Sequence, residues 1–288
     1  MTGNGDVLRY SAFTTDVNGG NPAGVVLDAT GLAESQMQQI AADLGYSETA
    51  FLVPHGERSF TVRYFAPLAE VPFCGHATIA AAVAYAERAG TGTLRLDTQV
   101  GPVPVTTATT ATTADDGGLI AASLTSVTPA TKTLADEDLS ELLAALGWSA
   151  ADLDPSLPPG VGYAGAWHPI LATSTRARLA DLDYDFDRLS ELMALRRWTT
   201  VDLIWRESAH VFHARNPFPP GGIVEDPATG AAAAALGGWL RAMRLVELPA
   251  TITVHQGVDM GRPSLITVGI DADEKSGIVV SGSAVELS

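Results

Sequence analysis

Three short segments of this chain carry side chains able to move a proton or hold an anion. Phe73-Cys74-Gly75-His76-Ala77-Thr78 sets a thiol and an imidazole around a glycine. Glu225-Asp226-Pro227-Ala228-Thr229-Gly230-Ala231 sets two carboxylates ahead of another glycine. Each segment runs into an Ala-rich apolar stretch, His76–Ala86 or Ala228–Leu240. Those stretches predict helices with no polar face, which must be buried. A helix start presents unpaired N–H groups and a partial positive charge, so it suits a carboxylate or phosphate. The expected anion positions are Gly75–His76 and Gly230–Ala231. A plainer reading makes Asp226 an N-cap with Pro227 at the first helical position. Cys74 reads either as a nucleophile activated by the helix start or as a small buried apolar residue.

The third segment is Tyr46-Ser47-Glu48-Thr49-Ala50-Phe51-Leu52-Val53. Glu48 falls between an expected helix end and an apolar strand. Desolvation raises the pKa of a carboxylate among apolar groups, which suits proton transfer near neutral pH. The same position also reads as a solvated loop Glu. Other titratable residues offer less. His210 and His213 stand three apart in a stretch that reads as strand, where they point to opposite faces and make a poor metal pair. His55 and Glu57 read as loop residues, and Glu70, ahead of the Cys74 turn, reads as a surface residue or as one that orients that turn.

The elements that must position these groups are short strands interleaved with helices. Phe60–Phe65 alternates with period two and is rich in β-branched and aromatic residues, as a strand should be. Similar patterns mark Val7–Phe13, Thr49–Val53, Leu94–Thr98, Leu119–Leu124, Val201–Trp205, Val211–Ala214, Ile252–His255, Leu265–Ile270 and Ile278–Ser281. Surface helices are expected around Met37–Leu44, Leu139–Leu146 and Leu189–Met193, the first two closed by Gly45 and Gly147. Both apolar helices begin with Ala-Thr-x-Ala-Ala-Ala, at Ala77 and at Ala228, which suggests an internal duplication. The polar, turn-rich stretch 106–118 is the expected linker. The halves are then 1–112 with 274–288, and 118–273.

Composition narrows the partners. The 288 residues include 17 Lys and Arg against 33 Asp and Glu, a formal charge of −16. Such a field repels nucleic acid. One cysteine excludes an intrachain disulfide, a Cys-rich zinc site and any two-thiol mechanism. No membrane span and no secretory leader are read from the sequence, so a cytoplasmic protein is expected.

Taken together, the motifs resemble the phenazine-biosynthesis PhzF family, with its diaminopimelate-epimerase-like fold. The likeness runs along the chain in order. It takes in Phe13, Gly20-Asn21-Pro22-Ala23-Gly24-Val25-Val26, Met37–Ala41, Ser47–Phe51 and Arg63-Tyr64-Phe65-Ala66-Pro67. It continues through Glu70–Thr78 and Glu225–Gly230 to Gln256–Ser264. The resemblance implies an α/β (α+β) fold of two pseudo-symmetric halves, each a curved sheet around a central helix, with the site in the cleft between them. It implies no metal and no organic cofactor, a small anionic substrate and a homodimer. The family's catalytic Glu falls on Glu48, its supporting His on His76 and its supporting Asp on Asp226. The helix-start glycines fall on Gly75 and Gly230, and Cys74 lies in the same turn. Phenazine-pathway members isomerise trans-2,3-dihydro-3-hydroxyanthranilate by moving a proton between ring carbons, and carry Ser where this chain has Ala231. The expected activity is isomerisation of a small carboxylated, cyclic metabolite. The alternatives are a non-catalytic binding protein of the same fold and a Cys74-dependent epimerase-like enzyme.

Overall fold

The computed structural model describes residues 6–110 and 118–288. The chain forms two compact units. One runs to Thr125 and takes in Ser281–Ser288, and the other is Ser126–Val280. Of the stretch expected as linker, residues 106–110 end a paired strand, and 111–117 lie outside the described residues.

In the first unit the strands are β1 (Leu8–Ala12), β2 (Asn21–Val26), β3 (Glu48–Gly56), β4 (Ser59–Phe65), β5 (Glu70–Val71), β6 (Gly92–Thr98), β7 (Gly101–Thr110) and β8 (Leu119–Thr125). The last strand of the chain, β17 (Val279–Glu286), joins them by pairing with β1. β1 is antiparallel to β2, β2 parallel to β3, and β3 antiparallel to β4. β4 is parallel to β6, β6 antiparallel to β7, and β7 antiparallel to β8. β8 pairs in turn with β17, so the ring closes.

A parallel pair needs a crossover, and each one here has a helix in it. Helix α1 (Glu34–Leu44) links β2 to β3 and lays Met37 and Ala41 against Val26, Phe51 and Phe65. Helix α2 (Gly75–Ala89) links β4, through β5, to β6 and fills the ring. Its residues from His76 to Ala84 are buried on every side, as the absence of a polar face demands.

The second unit repeats this order of connections. Its strands are β9 (Ala130–Thr133), β10 (Gly160–Tyr163), β11 (Trp167–Ala172), β12 (Asp202–Arg206), β13 (Val211–Phe218), β14 (Ile223–Asp226), β15 (Ala250–Gln256) and β16 (Ser264–Ile270). Helices α4 (Arg176–Ala180) and α5 (Phe186–Arg196) connect β11 to its parallel neighbour β12. β12 is antiparallel to β13, and β13 to the short β14. The buried helix α6 (Gly230–Ala242) then leads to β15, parallel to β13, and β15 is antiparallel to β16. The run β13–β14–α6–β15 thus matches β4–β5–α2–β6. A second core, built around Leu142 and Leu146 of α3 (Asp136–Leu146) and Leu189 and Met193 of α5, packs on Leu171, Val201 and Leu203.

The duplication is therefore real at the level of topology, but the Ala-Thr match does not mark it. Ala77 and Thr78 lie inside α2, whereas Ala228 and Thr229 precede α6. Pro227 has no N–H, and the N–H of Thr229 is bonded to a side chain, so the second helix begins later. Asp226 is accordingly not the N-cap and Pro227 not the first helical residue; the N-cap is Thr229. No helix among the described residues is long and apolar enough to cross a membrane.

Candidate active site

The first unit brings Glu48, His76 and Cys74 together. Glu48 is the first residue of β3, and His76 the second of α2. The Oε2 of Glu48 lies 3.5 Å from the Nε2 of His76. On the other side of the ring, Nδ1 of His76 lies 3.3 Å from the Sγ of Cys74. The Glu48 side chain is 17% exposed and that of His76 8%, so Glu48 is not a solvated loop residue. Nε2 of His76 shares a hydrogen bond with Ser47 Oγ at 3.3 Å while facing the Glu48 carboxylate, and the Cys74 thiol lies 3.9 Å from that same nitrogen.

The helix start is held from below. Burial pushes the Tyr64 hydroxyl well above the usual phenol range, so it stays a donor. It reaches Thr78 Oγ1 at 2.7 Å, and Thr78 donates in turn to the Cys74 carbonyl at 2.7 Å. A Cβ placed on Gly75 would meet nothing within 4 Å. There is thus open space beside the first residue of α2.

The three donor atoms of Glu48, Cys74 and His76 lie within 4.8 Å of one another, a spacing that one metal ion could span. The set suits a soft divalent ion such as zinc. Both nitrogens of the ring already face protein groups, however, Nδ1 the thiol and Nε2 Glu48 and Ser47.

In the second unit Asp226 ends β14, two residues beyond the exposed Val224. It is buried, and its Oδ2 accepts a hydrogen bond from Thr229 Oγ1 at 2.7 Å. Neighbouring Glu225 is buried too, paired with Arg215 of β13 at 2.6 Å. Gly230 and Ala231 open α6. The residue in the topological place of Glu48 is Asp202, first in β12. It is buried at 1% exposure, at the end of a chain of hydrogen bonds through Asn216 and Thr200 to His168. The same place in the two units thus holds one partly open carboxylate and one sealed one.

Other sequence expectations fare differently. Glu70 is tied to Arg63 by two contacts of 2.6 Å rather than to the Cys74 turn. His55 pairs with Asp97 at 3.1 Å. His213 is bound to Glu207 at 2.6 Å and stacks on His255, not on His210. Sequence reading passed over Ser47, whose Oγ lies 3.3 Å from His76 Nε2, and Gln256, which grips the Asp226 turn. Ser47 sits beside the candidate Glu; Gln256 sits in a quoted motif, but only the fold shows what it faces.

A duplicated strand–short strand–buried helix–strand unit, with a carboxylate, an imidazole and a thiol at one helix start, defines a diaminopimelate-epimerase-like protein. Residues 10–288 match the family described as phenazine biosynthesis-like protein, and the chain belongs to that family. It is similar to the trans-2,3-dihydro-3-hydroxyanthranilate isomerase of Pseudomonas chlororaphis, 33% identical over 279 residues, 95% of this chain and 94% of the relative. The crystal structure of a PhzF-family phenazine biosynthesis protein from Bacillus anthracis matches with a TM-score of 0.86 at 29% identity, covering 98% of this chain and 96% of that one. A probable proline racemase from Agrobacterium radiobacter K84 shares the fold, with a TM-score of 0.64 at 14% identity over 98% of this chain and 91% of that one.

Proposed function

We propose that this protein is an isomerase that moves a proton between carbons of a small cyclic carboxylate, with Glu48 as the proton carrier. The observation that carries this reading is the Glu48 carboxylate 3.5 Å from buried His76 at a helix start. Glu48 takes a proton from one carbon and returns it to another on the same face of the substrate. His76 and Asp226 hold the substrate's polar groups and stabilise charge that develops once the proton has left. The backbone N–H groups at Gly75–His76, where α2 starts, and at Gly230–Ala231, where α6 starts, are the proposed anion-binding positions, and Cys74 packs beside the first. No metal or organic cofactor enters this scheme. The protein acts in the cytoplasm as a homodimer, and its charge of −16 argues against nucleic acid as a partner.

The substrate is of the class handled by the Pseudomonas chlororaphis relative. Ala231 removes a side-chain hydroxyl where the phenazine isomerases are expected to have Ser, while its backbone N–H is kept. A substrate lacking the group that hydroxyl would meet fits best. The test is proton NMR of the purified protein with trans-2,3-dihydro-3-hydroxyanthranilate and with simpler cyclic carboxylates in D₂O. Exchange of a carbon-bound proton supports an isomerase. Binding with neither conversion to an isomer nor exchange across the series would make it a binding protein of the same fold.

A second reading rests on Cys74 Sγ, 3.3 Å from His76 Nδ1. A thiolate beside an imidazolium is itself a competent base. Loss of activity on alkylation of Cys74, with Glu48→Gln still active, would select it.

A further inference from the structure

We infer that Gln256 is a positioning residue for Asp226, acting through the hydroxyl of Thr229. The inference rests on the proposed reading of Asp226 as a site residue. Gln256 is the last residue of β15 and is 1% exposed. Its amide grips both ends of the turn between β14 and α6. The Nε2 donates to the carbonyl of Asp226 at 2.7 Å and to Thr229 Oγ1 at 2.9 Å, and Oε1 accepts the Thr229 N–H at 2.9 Å.

The direction of these bonds decides the role. Thr229 Oγ1 has one proton, and it already receives a hydrogen bond from the Gln256 amide. Its own proton is therefore left to donate, and it points to Asp226 Oδ2 at 2.7 Å. Gln256 thus sets which way the Thr229 hydroxyl faces, and the hydroxyl sets which oxygen of Asp226 is capped. All four contacts are buried, where a lost partner is not replaced by water.

The backbone is shaped for the same grip. Gly257 follows with φ of 72°, and a Cβ there would run into the carbonyl oxygens of Arg262 and Pro227. A side chain at 257 would push β15 off the turn, so glycine keeps Gln256 within reach. The first unit holds its own helix start differently, through Tyr64 and Thr78 to a carbonyl. There the clamp ends on backbone; here it ends on a carboxylate.

The test compares Gln256→Glu, Thr229→Val and Thr229→Ser with the wild type. Two readings are taken: amide hydrogen exchange over 226–231, and kcat and KM for trans-2,3-dihydro-3-hydroxyanthranilate. Glu at 256 keeps the shape and the acceptor but loses the donors, so the Thr229 hydroxyl is drawn away from Asp226. Exchange at the turn should rise at least about tenfold while the middle of α6 keeps its protection. kcat should fall by about tenfold or more with KM little changed. Thr229→Val, which keeps the residue at 256 but removes the hydroxyl between it and Asp226, should reproduce the loss in kcat, and Thr229→Ser should restore it. Unchanged exchange at the turn in Gln256→Glu overturns the inference. So does a loosened turn with wild-type kcat when Asp226→Asn is impaired. A fully active Asp226→Asn would instead remove Asp226 from the site, while the exchange data would still judge the clamp.

Discussion

Glu48 and His76 meet across the antiparallel β3–β4 pair: the Oε2 of one lies 3.5 Å from the Nε2 of the other, although they stand at the starts of different elements of the first unit. The contact leaves Glu48 with one fixed neighbour and a side chain that is still 17% exposed. A base for carbon acids needs that combination, held in place yet reachable. Its topological counterpart, Asp202, has the fixed neighbour without the access.

Replacing Gly75 separates binding from folding. Nothing lies within 4 Å of a Cβ at this position, and Ala is the better helix former by about 1 kcal/mol. Gly75→Ala should therefore melt at or above the wild-type temperature. A methyl group added at the proposed anion position should still raise KM for a carboxylate substrate severalfold. Calorimetric melting together with steady-state kinetics reads both effects. An unchanged KM would remove the α2 start from the anion site.

Cys74→Ser distinguishes a packing thiol from a reactive one. Cys74 is buried, at 8% exposure, and Ser preserves a small group that can contact His76 Nδ1. The variant should retain most of the wild-type kcat, and iodoacetamide should label the wild-type thiol slowly. An inactive Cys74→Ser would transfer the proton chemistry to sulfur.

The buried chain from His168 to Asp202 makes two opposed contributions to stability. Burial raises the Asp202 carboxyl from its ordinary 3.8 to about 7, so the stability it contributes is present below 3.8 and lost as pH rises toward 7. Burial lowers His168 from 6.5 to about 4, so its contribution is present above 6.5 and lost as pH falls toward 4. Between about pH 4 and 6.5 the two slopes cancel. Asp202→Asn removes one of them. Its stability relative to wild type should then climb with pH by roughly a factor of ten in the folding equilibrium per unit. Urea unfolding at pH 4.5 and 6.5 measures this, and a difference between variant and wild type that ignores pH would contradict it.

Much of the fold was legible because the two central helices have no polar face, and a helix of that kind can only be a core. Glu48, His76 and Asp226 were legible as titratable residues at element boundaries. Strands made of unlikely residues were not. β2 opens Asn21-Pro22-Ala23-Gly24, which reads as a turn, and β7 is a Thr-rich run that reads as linker. In β10, Gly160 and Gly162 hide a strand for a packing reason. A Cβ at Gly160 would come within 2.5 Å of Trp239 Nε1, and one at Gly162 within 2.9 Å of the Ala235 carbonyl. The glycines let α6 lie directly on the sheet. The Ser47 and Gln256 contacts link residues distant in sequence, so no local pattern announces them.

Whether Glu48 carries the proton is tested most directly by solvent exchange. Wild type and Glu48→Gln are incubated in D₂O with a cyclic carboxylate that the wild type turns over, and deuterium at the carbon that gains the proton is followed by NMR. Gln is isosteric and cannot accept the proton. The wild type should incorporate deuterium, and Glu48→Gln should do so about 10²–10⁴ times more slowly while binding the substrate as well. Equal rates of incorporation in the two proteins would contradict the assignment of Glu48 as the base.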